Sequence, residues 1–120
     1  MKHLTLKVAA VGLPLAMLLL AGCGTPSRYY WGNYEELIYA NYSKPGAVSL
    51  DKQIQILQGD IAKAQKAGKP VPPGFHAQLG YLYAQQGNAD RAKSQFEPEK
   101  QLFPESTVMM DRLMANMARK

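Results

Sequence analysis

Between Gly74 and Pro104 small and bulky residues are spaced as two tightly packed antiparallel helices require. Leu79 and Gly80 are followed by Tyr83, Gly87 interrupts the run, Ala92 and Phe96 stand one turn apart on the next, and Pro104 closes it. Gly80 and Ala92 let two helices approach closely, while Leu79, Tyr83 and Phe96 fill the space between them. Gly87 and Asn88 leave only a short joint, and a short joint makes the two helices antiparallel neighbours. The spacing predicts helices over 74–86 and 89–102, with Pro98 as a kink in the second because it lacks a backbone donor.

The rest of the chain carries the same period. Tyr34, Leu37, Ile38 and Tyr42 recur at spacings of three and four, and Lys44, Pro45 and Gly46 end that run. A longer helix is expected after Ser49, a good N-cap, with Leu50, Ile54, Leu57, Ile61 and Ala64 on one stripe and a stop at Gly68 and Pro70. A last helix follows Ser106 as N-cap, with Met110, Leu113, Met114 and Met117 at helical spacing. No run alternates as a strand would, so the expected fold is all-α with about five helices.

The residues from Leu79 to Pro104 resemble the tetratricopeptide repeat, which places Trp, Leu, Gly and Tyr on a first helix, Ala and Phe on a second and Pro at the end. His76 stands in the Trp place, and Glu99 stands where a small residue is usual, so the repeat is a degenerate one. The resemblance implies a concave groove lined by first helices, with Gln78, Tyr81 and Gln85 as partner contacts. One repeat length before Pro104 lies Pro70, so the helix after Ser49 is readable as the second helix of an eroded preceding unit. The last helix then serves as the cap that covers the open end.

The first 22 residues read as a signal peptide: basic Lys2 and Lys7, an apolar run from Val8 to Leu20 containing Pro14, and small Ala21 and Gly22. Leu20, Ala21, Gly22 and Cys23 resemble the bacterial lipobox, in which the cysteine is diacylated and the preceding bond is cut. Cys23 is the chain's single cysteine, so no internal disulfide is available. Two acyl chains exceed the single chain that anchors only marginally, which makes a stable membrane attachment the expectation. Gly24 stands where inner-membrane lipoproteins of many Gram-negative bacteria carry Asp, favouring the periplasmic face of the outer membrane. Removal of residues 1–22 takes Lys2 and Lys7 from the 14 basic side chains, leaving 12 against 9 acidic ones and a charge of +3. These charges alternate without clustering, unlike the concentrated patch expected of a nucleic-acid or anionic-lipid binder. The expected organisation is a leader over 1–22, a lipidated tether over 23–32 and a helical domain over 33–120.

The lipobox, the aromatic start, the proline-rich Lys69–Phe75 and the repeat together resemble a family of small Gram-negative lipoproteins of unknown function. Its members look like companions of a lipoprotein similar to the curli-assembly pore protein, so the resemblance implies an envelope-protein partner. Six of the 11 aromatic residues fall within the 14 residues from Tyr29 to Tyr42. They serve either as a docking patch, with Trp31 and Tyr39 the candidates, or as core, with Tyr34 and Tyr42 packing beside Leu37 and Ile38. Met109, Met110, Met114 and Met117 read chiefly as packing, with an adaptable binding surface as the alternative.

His76 is the one histidine after the leader, Glu35 and Glu36 diverge on a helix, and no phosphate-binding glycine loop is present. No catalytic apparatus, metal or cofactor is therefore expected. The expected function is a non-catalytic, lipid-anchored adaptor or assembly factor of the cell envelope. The alternatives are a pilotin-like carrier of an outer-membrane channel subunit and a periplasmic carrier of an apolar ligand.

Overall fold

The computed structural model describes residues 24–119; the leader, the lipobox and Cys23 lie outside them. Five α-helices are present: α1 over Tyr34–Ser43, α2 over Leu50–Lys66, α3 over Phe75–Gln85, α4 over Ala89–Leu102 and α5 over Thr107–Ala118. A 3-10 turn over Pro104–Ser106 joins the last two, and no strand occurs among the described residues. The all-helical class expected from the periodicity is the observed one. Among the described residues no helix is long and apolar enough to cross a membrane.

Pairs of side chains give the helix directions. Asn33 bonds Asp60 and Asn41 bonds Gln53, so α1 runs antiparallel to α2. Gln58 bonds Tyr83 and Gln86 bonds Asp51, which sets α3 antiparallel to α2. His76 meets Gln95 at 2.9 Å, and Lys100 meets Asp111 at 2.7 Å, continuing the zigzag through α4 and α5. One end of the domain therefore carries the starts of α1, α3 and α5 with the finishes of α2 and α4.

The α3–α4 hairpin holds the centre of the core. Phe75, Leu79, Leu82, Tyr83, Ala92 and Phe96 are all buried there with Leu57 of α2, and each large apolar side chain removed from water contributes roughly 1.5–3 kcal/mol. Gly80 faces the second helix so closely that a Cβ would lie 2.5 Å from the Phe96 ring and 3.0 Å from the Ala92 carbonyl oxygen. Gly87 forms the joint between the helices, and Pro104 opens the 3-10 turn. Helix α4 runs continuously through Pro98.

Two buried carboxylates finish the helix ends. Gly74 is the N-cap of α3 and has no side chain to offer its first turn. Glu99, 2% exposed, supplies the cap from α4: its carboxylate accepts from the Gly74 amide at 2.6 Å and the Ala77 amide at 3.2 Å. These are the two donors that a capping box satisfies from within one helix. Asp60, fully buried on α2, holds the N-cap residue of α1, accepting from the Asn33 backbone amide at 2.7 Å and from the Asn33 side chain at 3.0 Å.

Three sequence expectations need correction. Tyr42 is 89% exposed rather than packed. At about 100° per residue it lies well past the edge of the stripe that Leu37 centres, and Asn41 takes the inward place by bonding Gln53 at 2.7 Å. Ser106 does not accept from the first turn of α5; its hydroxyl donates to the Phe103 carbonyl at 2.7 Å, because the 3-10 turn already holds its backbone helical. The buried stripe of α2 also includes Gln53 and Asp60, whereas Leu50 and Ile61 are only half-buried.

Gly80→Ala is expected to destabilise the domain by about 1–2 kcal/mol in urea unfolding, overpacking against Phe96 outweighing the better helix propensity of Ala. Glu99→Ala leaves two amides at the start of α3 without acceptors and should lower stability by about 2 kcal/mol in the same assay. Equal stability of either variant and the parent would contradict the packing or the capping described.

Candidate functional site

The segment before α1 is built into the domain. The Tyr30 amide donates to the Pro70 carbonyl at 2.8 Å, and the Lys69 ammonium donates to the Ser27 carbonyl at 3.2 Å. A line of rings extends the attachment. Tyr29 meets Phe103 edge-on at 6.2 Å and Trp31 at 6.4 Å, Trp31 meets Tyr34 at 6.3 Å, and Tyr34 lies 5.3 Å from Phe75. Gly32, at φ +51°, passes so close to Asp60 that a Cβ would meet its carboxyl at 2.5 Å. Residues 27–33 thus form a strap, and the expected boundary between tether and domain at 32/33 falls inside it. The reason is that aromatic surface near the helical core gains more by packing than by staying in water.

The other aromatic and amide residues shape an open groove of ≈ 690 Å³ between α1, the start of α2 and α3. Gln78, Tyr81 and Gln85 come together on its α3 wall, opposite Ile38 and Tyr42 on α1, with Pro45 and Val48 toward the α1–α2 loop. No charged residue lines it. Asn41 and Gln53 are engaged with each other, and Gln53 also donates to the Val48 carbonyl at 2.8 Å. The groove therefore offers aromatic and aliphatic surface, with the amides of Gln78 and Gln85 beside it. Such a lining suits a neutral polypeptide surface and gives a charged ligand nothing to pair with.

The structure separates the five residues singled out for partner binding. Gln78, Tyr81 and Gln85 share the groove, whereas Trp31 belongs to the strap, its indole donating to Ser27 at 3.1 Å. Tyr39 is 71% exposed on α1 but does not line the groove. Tyr42 was missed as a groove residue because its spacing was read as core; Pro45 and Gly46, which end the helix directly after it, are the signal that it sits at an open edge. A second concavity of ≈ 560 Å³ lies between α3 and α5, lined by Ala77, Met109, Met110 and Leu113. Tyr81 borders both and forms the ridge between them.

Of the ionisable groups around these surfaces, Tyr34 is the one bearing on the strap. Partial burial raises its phenol above the ordinary value of 10.0, and the Glu99 charge adds to the effect. No group of three His, Cys, Asp or Glu side chains able to hold a metal occurs among the described residues.

Residues 28–113 match the model of a family described as a domain of unknown function, DUF4810. The match begins at Arg28, inside the strap, and runs to Leu113 on α5. No curated protein and no solved structure matches the chain.

The Tyr34 phenol is favoured neutral in the fold. Its stabilising contribution is present below the ordinary tyrosine value and is lost as pH rises through the higher folded value. Alkaline titration followed by phenolate absorbance should show one tyrosine ionising late, with unfolding stability falling over that range. Tyr34→Phe should remove both features.

Proposed function

The chain belongs to the DUF4810 family, and we propose that it is an outer-membrane-anchored lipoprotein acting as a non-catalytic adaptor or assembly factor for another envelope protein. The observation that carries the adaptor reading is the uncharged groove in which Gln78, Tyr81 and Gln85 stand opposite Ile38 and Tyr42. Exposed aromatic and aliphatic side chains beside amide groups are the composition by which protein interfaces are recognised. The anchoring reading rests on Leu20–Cys23 at the end of the leader-like start, and the outer-membrane assignment on Gly24.

The finer reading treats α3 and α4 as a degenerate tetratricopeptide unit, with α1 and α2 as an eroded one before it. It is supported by the antiparallel order of the four helices and by the contact of Gly80 with Ala92 and Phe96. On this reading the groove is the concave face lined by first helices, here α1 and α3. A lipoprotein similar to the curli-assembly pore protein is the partner that the sequence resemblance proposes. The non-catalytic reading treats His76, whose ring is engaged with Gln95 at 2.9 Å, as a packing residue.

A second reading draws on the concavity between α3 and α5, whose Met109, Met110 and Leu113 walls suit an apolar ligand. A carrier of such a ligand would retain it through purification.

In-cell cross-linking of the full chain followed by mass spectrometry separates these readings. A specific envelope protein should co-enrich, and Tyr81→Ala, at a half-exposed position, should reduce that enrichment several-fold without loss of folding. Cys23→Ala should release the protein from the membrane fraction. Recovery of bound lipid with no specific protein would favour the carrier instead.

A further inference from the structure

Apart from Tyr39 on α1, the exposed large apolar side chains fall into two groups, one at the groove and one at the strap. Tyr42, with Ile38 and Tyr81, belongs to the groove, which opens toward the finish of α1 and of α3. Trp31, Leu102, Val108 and Met109 lie at the other end, where the strap crosses the finishes of α2 and α4 and the start of α5. Val108 and Met109 are 64% and 61% exposed, more than folding of the domain alone requires of such residues.

The same end carries Arg28, Lys66 and Lys69, all exposed and none in an ion pair among the described residues. Glu35 and Glu36 in the first turn of α1 and Glu105 in the 3-10 turn balance these three charges, so the end is mixed in sign. Exposed apolar side chains ringed by charged ones of both signs are what a phospholipid interface accepts: the apolar groups enter the headgroup boundary and the charged ends remain among the headgroups. Trp and Tyr are the side chains enriched at that depth.

Chain geometry brings this end to a bilayer. Four peptide steps separate Cys23 from Ser27, which Lys69 holds on the domain, so the lipid attachment can lie at most about 14 Å from the strap. The ten residues of α1 separate the strap end from the groove mouth by about 15 Å. A lipid on Cys23 therefore leaves the domain beside the strap and reaches the groove end only with the tether fully extended along the domain.

We propose that the strap end, through exposed Trp31, Leu102, Val108 and Met109 beside the point where the tether leaves the domain, is the surface that the domain lays on a phospholipid bilayer, with the groove turned away from it. The proposal rests on the reading of Cys23 as acylated and adds an orientation to it. A partner in the groove is then met from the aqueous side, not from within the membrane.

The test uses the full mature lipoprotein in vesicles of phosphatidylethanolamine and phosphatidylglycerol containing a headgroup spin-labelled lipid. A fluorophore is placed on a single introduced cysteine, at Gln65→Cys beside the strap or at Ser43→Cys beside the groove; acylated Cys23 has no thiol left to react. Quenching should be about threefold stronger at position 65 than at position 43, given the helix length between them. Val108→Ser with Met109→Ser, both at exposed positions, should bring the two values together while leaving the fold unchanged by circular dichroism. Equal quenching in the parent protein, or a ratio that the two substitutions do not alter, would overturn the orientation alone. Mass spectrometry showing an unmodified Cys23 would overturn both the orientation and the anchoring beneath it.

Discussion

A carboxylate taken out of water must find donors, and both acidic groups buried in this domain find them at the start of a helix from which they are remote in sequence. Asp60 of α2 holds the N-cap of α1, and Glu99 of α4 closes the first turn of α3. Each contact satisfies amides that a helix start leaves unpaired, and each places a negative charge at the positive end of a helix dipole. The result is more than local capping. Because the acceptor of each cap sits on the following helix, neither α1 nor α3 is complete until its antiparallel neighbour is in register beside it.

The strap depends on the same pair. Asp60 holds Asn33 and crowds Gly32, fixing where the segment turns into α1, and Glu99 lies behind Gly74 at the loop from which Tyr34 is packed. The rings from Tyr29 to Phe75 then close over that end of the core. With the aromatic run spent largely on this closure, the uncharged groove is left to Ile38, Tyr42, Tyr81 and the amides near the opposite end.

Much of the fold was readable from local patterns. Helix α4 begins and ends at the residues that spacing predicts, and the burial of Leu79, Tyr83, Ala92 and Phe96 follows from a pattern set by steric fit between two neighbouring helices. The α3 part of the groove was also legible, since a first-helix face leaves Gln78, Tyr81 and Gln85 on one side. The buried acids were not. Glu99 stood out as a departure at a place for a small residue, but its role depends on Gly74, 25 residues earlier, and no periodicity encodes that distance. Tyr42 misled for the opposite reason: a spacing of three and four drifts around a short helix, and the drift carries the last residue off the buried face.

The docking of Tyr29 on Phe103 also orders events in time. A polypeptide is made from its amino end, so the strap exists long before the ring that covers it, and its Pro70 acceptor appears before its Phe103 contact. Tyr29 stays uncovered on that side until α4 has been completed and Phe103, the residue that ends it, has come back beside the strap. A chain cut short before Phe103 would have Tyr34 seated on Phe75 but Tyr29 without its covering ring, so the strap is closed from its α1 end outward.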